Sequence, residues 1–167
     1  VIKQDSIRLI FAIAAKLKMS IHHIDVLTAF LYGTLEEDIY MIQPPGFKFT
    51  PDGQKDDGEY VLKLQKSLYG LKQSPLVWNE TLNKEFLKQG FKRAINEPCI
   101  YYKGEGKNAL LVGVYVDDML IVGANQKQID KVKKDLSNRF EMKDLGPVKK
   151  FLGINVLHGK DFRVLHL

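Results

Sequence analysis

The chain has 167 residues, 45% of them hydrophobic, and 25 basic against 20 acidic side chains give a net charge of +5. Length and composition exclude a disordered chain and fit one domain with a real core, and the mild basic excess favours polyanions without identifying a nucleic-acid binder. The single cysteine, Cys99, excludes an internal disulfide; the apolar stretch Ile7 to Leu17, interrupted or flanked by Arg8, Lys16 and Lys18, is too short for a membrane span and lacks a signal-peptide pattern. In chain order, a first helix is predicted from about Ser6 to Lys18, capped by Asp5 or Ser6, with Ile7, Ile10, Phe11, Ala14 and Leu17 as its apolar stripe. Ile21 to Val26 reads as a short strand that ends in Asp25. Leu35 to Asp38 reads as a short acidic turn or helix, and Tyr40 to Gln43 as an extended segment stopped by Pro44-Pro45-Gly46. Phe49 to Glu59 is loop, and Tyr60 to Leu64 alternates like a strand. The second helix has Ser74 as N-cap, Pro75 at its first position and Gly90 at its stop. Cys99 to Lys103 and Ala109 to Val116 read as strands around Gly104-Glu105-Gly106, a hairpin turn and not a phosphate loop, because no helix and no Lys-Ser/Thr follow. Cys99, beside a strand, reads as a buried thiol rather than a nucleophile. A third helix is predicted from Gln126 to Arg139, capped by Asn125, and the lysine-rich stretch Gln126 to Lys150 reads as a solvated face. The C-terminus reads as a hairpin, Lys150 to Leu157 and Phe162 to Leu165, turning at Gly159-Lys160-Asp161. The order predicts an α+β fold, helices packed on one face of an antiparallel sheet.

The chemistry gathers at Tyr115-Val116-Asp117-Asp118-Met119. Two adjacent carboxylates sit between the apolar runs Ala109 to Val116 and Met119 to Val122, which reads as strand, tight turn, strand. Asp is a good turn residue, and a pair at an exposed tip needs no further role. Charge repulsion nevertheless makes the pair costly unless a cation or solvent relieves it. A third acid changes the balance. If the Asp25 strand lies beside the hairpin, three carboxylates are available to hold two magnesium ions through hard oxygen ligands. His22 and His23 precede Asp25, but their adjacency puts them on opposite faces of the strand, and neither is read as a metal ligand.

Five blocks in order carry a family resemblance. They are Asp25-Val26 with Thr28-Ala29-Phe30-Leu31; Leu35-Glu36-Glu37-Asp38-Ile39-Tyr40-Met41 with Gln43-Pro44-Pro45-Gly46-Phe47; Ser67-Leu68-Tyr69-Gly70-Leu71-Lys72-Gln73-Ser74-Pro75; Tyr115-Val116-Asp117-Asp118; and Phe151-Leu152-Gly153-Ile154. Over essentially its whole length the chain resembles the reverse transcriptase of copia-type long-terminal-repeat retrotransposon Pol polyproteins. The resemblance implies a polymerase palm with part of the fingers, residues 1–167 as one unit and residues 148–167 as a primer-grip-like hairpin. It implies an RNA-directed DNA polymerase, a nucleotidyltransferase that joins a dNTP to a primer 3′-hydroxyl at two metals. Asp25, Asp117 and Asp118 are the implied catalytic acids. Asp25, Val26 (by its carbonyl), Asp117 and Asp118 are the implied metal ligands for two Mg²⁺ ions, with Mn²⁺ as a substitute, and Asp118 is the more peripheral of them. Ala29, Phe30, Tyr69 and Gly70 are the implied nucleotide contacts, Phe30 as the ring that excludes a 2′-hydroxyl. Lys72, Ser74, Pro75, Tyr115, Phe151, Leu152 and Gly153 are the implied template and primer contacts. Trp78, on the helix after that motif, is read as core or template-side packing. The implied partners are an RNA template, a DNA primer, dNTP and the rest of the Pol polyprotein (integrase and ribonuclease H), with no membrane. The implied setting is a cytoplasmic virus-like particle whose product is destined for the nucleus.

The chain also departs from the family. Leu27 stands where copia-type sequences commonly carry a lysine, and the family's N-terminal fingers, thumb or connection, and ribonuclease H are expected to lie outside these 167 residues. Two other readings stay open: a non-catalytic truncated palm remnant with weak nucleic-acid binding, and another palm-like nucleotidyl enzyme such as a cyclase or primase. The block Tyr69 to Pro75 and the primer-grip-like end speak against the last.

Overall fold

A computed structural model describes residues 1–47, 50, 60–158 and 164–166. The loop expected at Phe49 to Glu59 (Thr50 apart) and the turn expected at Gly159-Lys160-Asp161 lie outside the described residues. The elements run α1 (Gln4–Leu17), β1 (Ser20–Val26), a 3₁₀ turn (Ala29–Tyr32), β2 (Tyr40–Ile42), β3 (Val61–Lys63), α2 (Ser74–Lys88), β4 (Lys92–Arg93), β5 (Ile100–Lys103), β6 (Leu110–Tyr115), β7 (Asp118–Gly123), α3 (Gln126–Ser137), β8 (Met142–Pro147), β9 (Lys150–Phe151), β10 (Ile154–His158) and β11 (Val164–His166). Six strands form one antiparallel sheet in the order β4-β5-β6-β7-β1-β8; β9 to β11 form a second sheet, and β2 with β3 a two-stranded ribbon. The fold is therefore α+β, as expected.

The expectation that helices cover one face is corrected. Met119 and Ile121 enter a core with Trp78, Leu82 and Phe86 of α2 and Ile129, Val132 and Leu136 of α3. Leu120 and Val122, pointing the other way, enter a second core with Ile7, Ile10, Phe11 and Ala14 of α1 and with Phe151, Ile154 and Val156. An apolar run without polar alternation needs cover on both faces, and β7 is such a run. Gly113 lets α1 come close: a Cβ there would stand 2.7 Å from Ile10 Cδ1.

Local chemistry explains other differences. Neither Asp5 nor Ser6 caps α1. Lys3 is the N-cap without a side-chain bond, and Glu97 reaches in from the loop before β5 to accept from the Lys3 N–H at 3.3 Å and the Ser6 hydroxyl at 2.8 Å. A carboxylate from a distant segment thus accepts one backbone N–H at the helix N-terminus, where negative charge is favoured. Ser74 is the first helical residue and not the cap; it is buried, and its hydroxyl donates to the Leu68 carbonyl at 2.5 Å. Asn125 does cap α3, accepting from the Lys127 N–H at 3.0 Å. Leu35 to Asp38 forms no helix, and Asp38 instead pairs with Lys63 at 2.5 Å. The long strand expected from Lys150 to Leu157 is broken by a tight turn at Leu152 (φ 46) and Gly153 (φ 84) between β9 and β10. β8 was not expected. It is an edge strand with Gly146 and Pro147 at its end, and its pairing with β1 shifts register between His23 and Ile24.

The two histidines do face opposite ways. On the α3 side, Lys133 Nζ lies 2.8 Å from His22 Nδ1 and 2.8 and 2.9 Å from the two Asp144 carboxylate oxygens. Burial and the Lys133 charge hold His22 below its ordinary 6.5. Burial pushes Asp144 up, but the Lys133 and Gly146 hydrogen bonds outweigh it and hold the carboxyl below 3.8. In both cases the unfolded chain binds protons more tightly than the folded one. Both groups therefore contribute stability that is present at neutral pH and lost in acid, His22 first as pH falls below 6.5 and Asp144 below 3.8. Through His22 alone the melting temperature should drop between pH 7.5 and pH 5. In His22→Asn that drop should shrink, which thermal melts across the pH series would show.

Candidate active site

The acids meet at one end of the large sheet. β6 and β7 form a hairpin whose turn is Val116-Asp117, with Tyr115 opposite Asp118. On the other side of β7, β1 runs antiparallel in a register that sets Asp25 opposite Asp118. The Val26 N–H donates to the Asp117 carbonyl at 3.0 Å and clamps the turn to β1. Val116 has φ 54, a conformation that a β-branched residue rarely adopts. It is held there by Trp78, whose indole N–H donates to the Val116 carbonyl at 2.8 Å. Trp78 is core, as expected, and is also a strut for the turn.

The three carboxylates are differently engaged. The His23 Nε2–H donates to Asp118 Oδ1 at 2.6 Å. The Tyr69 hydroxyl faces Asp117 Oδ2 at 3.5 Å, the limit of a hydrogen bond. Among the described residues no side chain donates to Asp25. Burial, then the charges of Asp117 and Asp118, push its carboxyl above the usual range, against a smaller pull from His23 and Lys143. Burial and Asp117 likewise raise the Tyr69 phenol, so it stays neutral. Among the described residues no group of three or more His, Cys, Asp or Glu side chains closes round one metal position.

Phe30 is only 8% exposed, and the reason lies above it. The Tyr69 ring sits 4.4 Å from the Phe30 ring, tilted by 48°, and Tyr69 itself is 59% exposed. The loops that carry the two rings are docked. The Ser67 hydroxyl donates to the Phe30 carbonyl, and the Ser67 N–H to the Gly33 carbonyl at 2.9 Å. A Cβ on Gly33 would stand 2.7 Å from Ser67 Oγ and from Val77, so only glycine lets them close. Gly70, exposed at φ 103, holds the next turn in the left-handed region.

The other expected contacts divide. Lys72, Pro75, Leu152 and Gly153 are exposed, whereas Ala29, Ser74 and Phe151 have buried side chains and support the surface instead of forming it. Tyr115 is half-buried against the α1 core. Leu27 is exposed. Cys99 is a buried thiol, as expected. His23 was not among the expected site residues, although its place two residues before Asp25 puts it on the same strand face. A groove of about 540 Å³ lies between Tyr32 and α2, lined by Glu80, Lys84, Glu85 and Lys88, and none of the three acids lines it. Among the described residues no helix is long and apolar enough to cross a membrane.

Comparison with known proteins shows the family of the chain. The family model described as reverse transcriptase (RNA-dependent DNA polymerase) matches residues 1–165. The chain is 44% identical over 168 aligned residues to the retrovirus-related Pol polyprotein from transposon TNT 1-94 of Nicotiana tabacum, covering all of this chain and 12% of that protein. It is 43% identical over 132 residues to a putative transposon Ty5-1 protein of Saccharomyces cerevisiae, 79% of this chain and 41% of that one. It is 41% identical over 154 residues to the retrovirus-related Pol polyprotein from transposon RE1 of Arabidopsis thaliana, 92% of this chain and 10% of that one. The chain thus spans less than half the length of each of these relatives. No solved structure matches it. With the family model matching nearly end to end, the chain belongs to the reverse transcriptase family, as the reverse transcriptase domain of a copia-type retrotransposon Pol polyprotein.

Proposed function

We propose that residues 1–167 are the palm of an RNA-directed DNA polymerase, with the β2–β3 ribbon as part of the fingers and residues 148–167 as the primer-holding hairpin. The observation that carries this reading is the register of Asp25 against Asp118, with Asp117 in the adjoining turn. Asp25, Asp117 and Asp118 are the catalytic acids. Asp25, Asp117 and the Val26 carbonyl would hold the metals; an all-oxygen donor set, with one carboxylate lacking a side-chain donor among the described residues and disfavoured as an anion, fits a hard cation such as Mg²⁺ or Mn²⁺. When bound, the two ions activate the primer 3′-hydroxyl and stabilise the pyrophosphate leaving group. Tyr69, Gly70 and Phe30 line the nucleotide side, and Lys72, Pro75, Leu152 and Gly153 face template and primer. The partners are an RNA template, a DNA primer, dNTP and the rest of the polyprotein, with its integrase and ribonuclease H, in a cytoplasmic particle whose DNA product goes to the nucleus. Primer extension on an RNA template with dNTPs and Mg²⁺ tests the reading, and a polyprotein that makes no template-dependent product overturns it. The exposed Leu27 favours a second reading, a non-catalytic remnant that binds nucleic acid weakly; metal-dependent extension excludes it.

Two outcomes follow from the geometry. The folded chain holds the Asp25 proton more tightly than the unfolded one, so Asp25 costs stability as pH rises from 3.8 through its raised value. At pH 7.5 without metal, Asp25→Asn should melt about 1–3 °C above wild type, and Mg²⁺ should raise the wild-type melting temperature and barely move the variant's. Phe30→Ala should raise ribonucleotide incorporation relative to deoxynucleotide by roughly tenfold or more, read as a ratio of kcat/KM values. Because Tyr69 covers Phe30, Tyr69→Ala should relax the same ratio, and the double variant should exceed neither single by much.

A further inference from the structure

His23 lies outside the motif blocks, yet it makes the shortest polar contact at the acid cluster. Its ring is fixed from two sides. The Nε2–H bonds Asp118 Oδ1 at 2.6 Å, and the Phe151 ring packs edge-on at 5.3 Å and 80°. Its side chain is 13% exposed. Pairing explains the reach. His23 stands opposite Leu120 and Asp25 opposite Asp118, so His23 meets Asp118 along the diagonal of one sheet face. The three acids therefore differ in what a cation must displace. Asp25 has no side-chain donor among the described residues, Asp117 has one long contact, and Asp118 has a short charge-assisted bond from a half-buried, packed donor.

We propose that His23 is a positioning residue that holds Asp118 out of the metal ligand set, leaving Asp25 and Asp117 to take the cations. The proposal rests on the polymerase reading and names the residue that divides the labour among its acids. Freed from His23, Asp118 becomes a third anionic oxygen ligand beside Asp25, and the metal is bound more tightly in a wrong arrangement. Affinity and turnover then move in opposite directions, which a merely structural defect would not produce.

The probe is Mn²⁺ alone, titrated into the 167-residue chain and followed by the spin-resonance signal of the free ion. His23→Phe keeps a ring against Phe151 and loses the donor; it should tighten Mn²⁺ binding, on the order of tenfold. His23→Gln keeps an N–H donor and should bind Mn²⁺ like wild type. Asp118→Asn should change the affinity less than about twofold in wild type and should erase the gain in His23→Phe. Extension by the polyprotein carrying His23→Phe should fall even as its Mn²⁺ affinity rises. Unchanged or weaker binding in His23→Phe overturns the proposal. So does a large loss of affinity in Asp118→Asn alone, which needs no His23 variant to fold. If the Mn²⁺ pattern holds but the wild-type polyprotein makes no product, the polymerase reading fails while the role of His23 stands.

Discussion

Asp117→Asn should abolish primer extension, by at least about a thousandfold or about 4 kcal/mol of transition-state stabilisation, without harming the fold. The substitution keeps size and shape. The Asp117 carbonyl that accepts from Val26 is backbone and survives the change. What is lost is a carboxylate whose only side-chain hydrogen-bond partner among the described residues is Tyr69, at 3.5 Å, so the charge does little for the folded state. Removing one of three neighbouring anions also eases the repulsion that raises Asp25, so the metal-free variant should melt at or slightly above the wild-type temperature. The acids should rank: Asp25→Asn as severe as Asp117→Asn, and Asp118→Asn milder because His23 already engages that carboxylate. Single-turnover incorporation with each variant, beside urea melts, measures both sides. An Asp117→Asn protein with more than a few per cent of wild-type rate would remove this acid from the chemistry.

The hairpin tip was legible because its signals are local. Apolar runs on either side of two aspartates specify strand, turn and strand within fifteen residues. The two-sided burial of β7 was also written there, since Met119 to Val122 has no polar residue to face water, but the expectation of a one-faced sheet passed over it. Long-range partners were not legible. His23 and Asp118 are 95 positions apart, and Ser6 and Glu97 are 91 apart. No periodicity connects such pairs, which exist only once the strand order β6-β7-β1-β8 is set. Glu97 therefore replaced two plausible local caps, and a buried Ser74 turned a helix cap into a tie to Leu68. The resemblance supplied Phe30 as the selecting ring, but a motif cannot reveal that Tyr69 lies over it.

Trp78 should affect both stability and activity, and one substitution should separate the two. Trp78→Ala removes a fully buried ring that packs near Phe140 and Tyr32 and should cost about 3–5 kcal/mol, enough to unfold a domain of marginal stability. Trp78→Phe is the informative change. It keeps most of the packing and removes the N–H that holds the Val116 carbonyl. The cost in stability should be about 1–2 kcal/mol, that of one partly buried acceptor left unsatisfied. The cost in rate should be greater. Val116 sits at φ 54, a strain of about 1–3 kcal/mol for a non-glycine residue, and it persists only while its surroundings enforce it. Once released, the turn relaxes and carries Asp117 with it, and a displacement of about 1 Å at a reacting centre can cost roughly a hundredfold. Urea midpoints and single-turnover rates on the same preparations separate the two roles. If Trp78→Phe loses stability but keeps its rate, the indole is packing alone. If the rate falls about a hundredfold while most of the protein stays folded, the N–H to Val116 is what aims the acid.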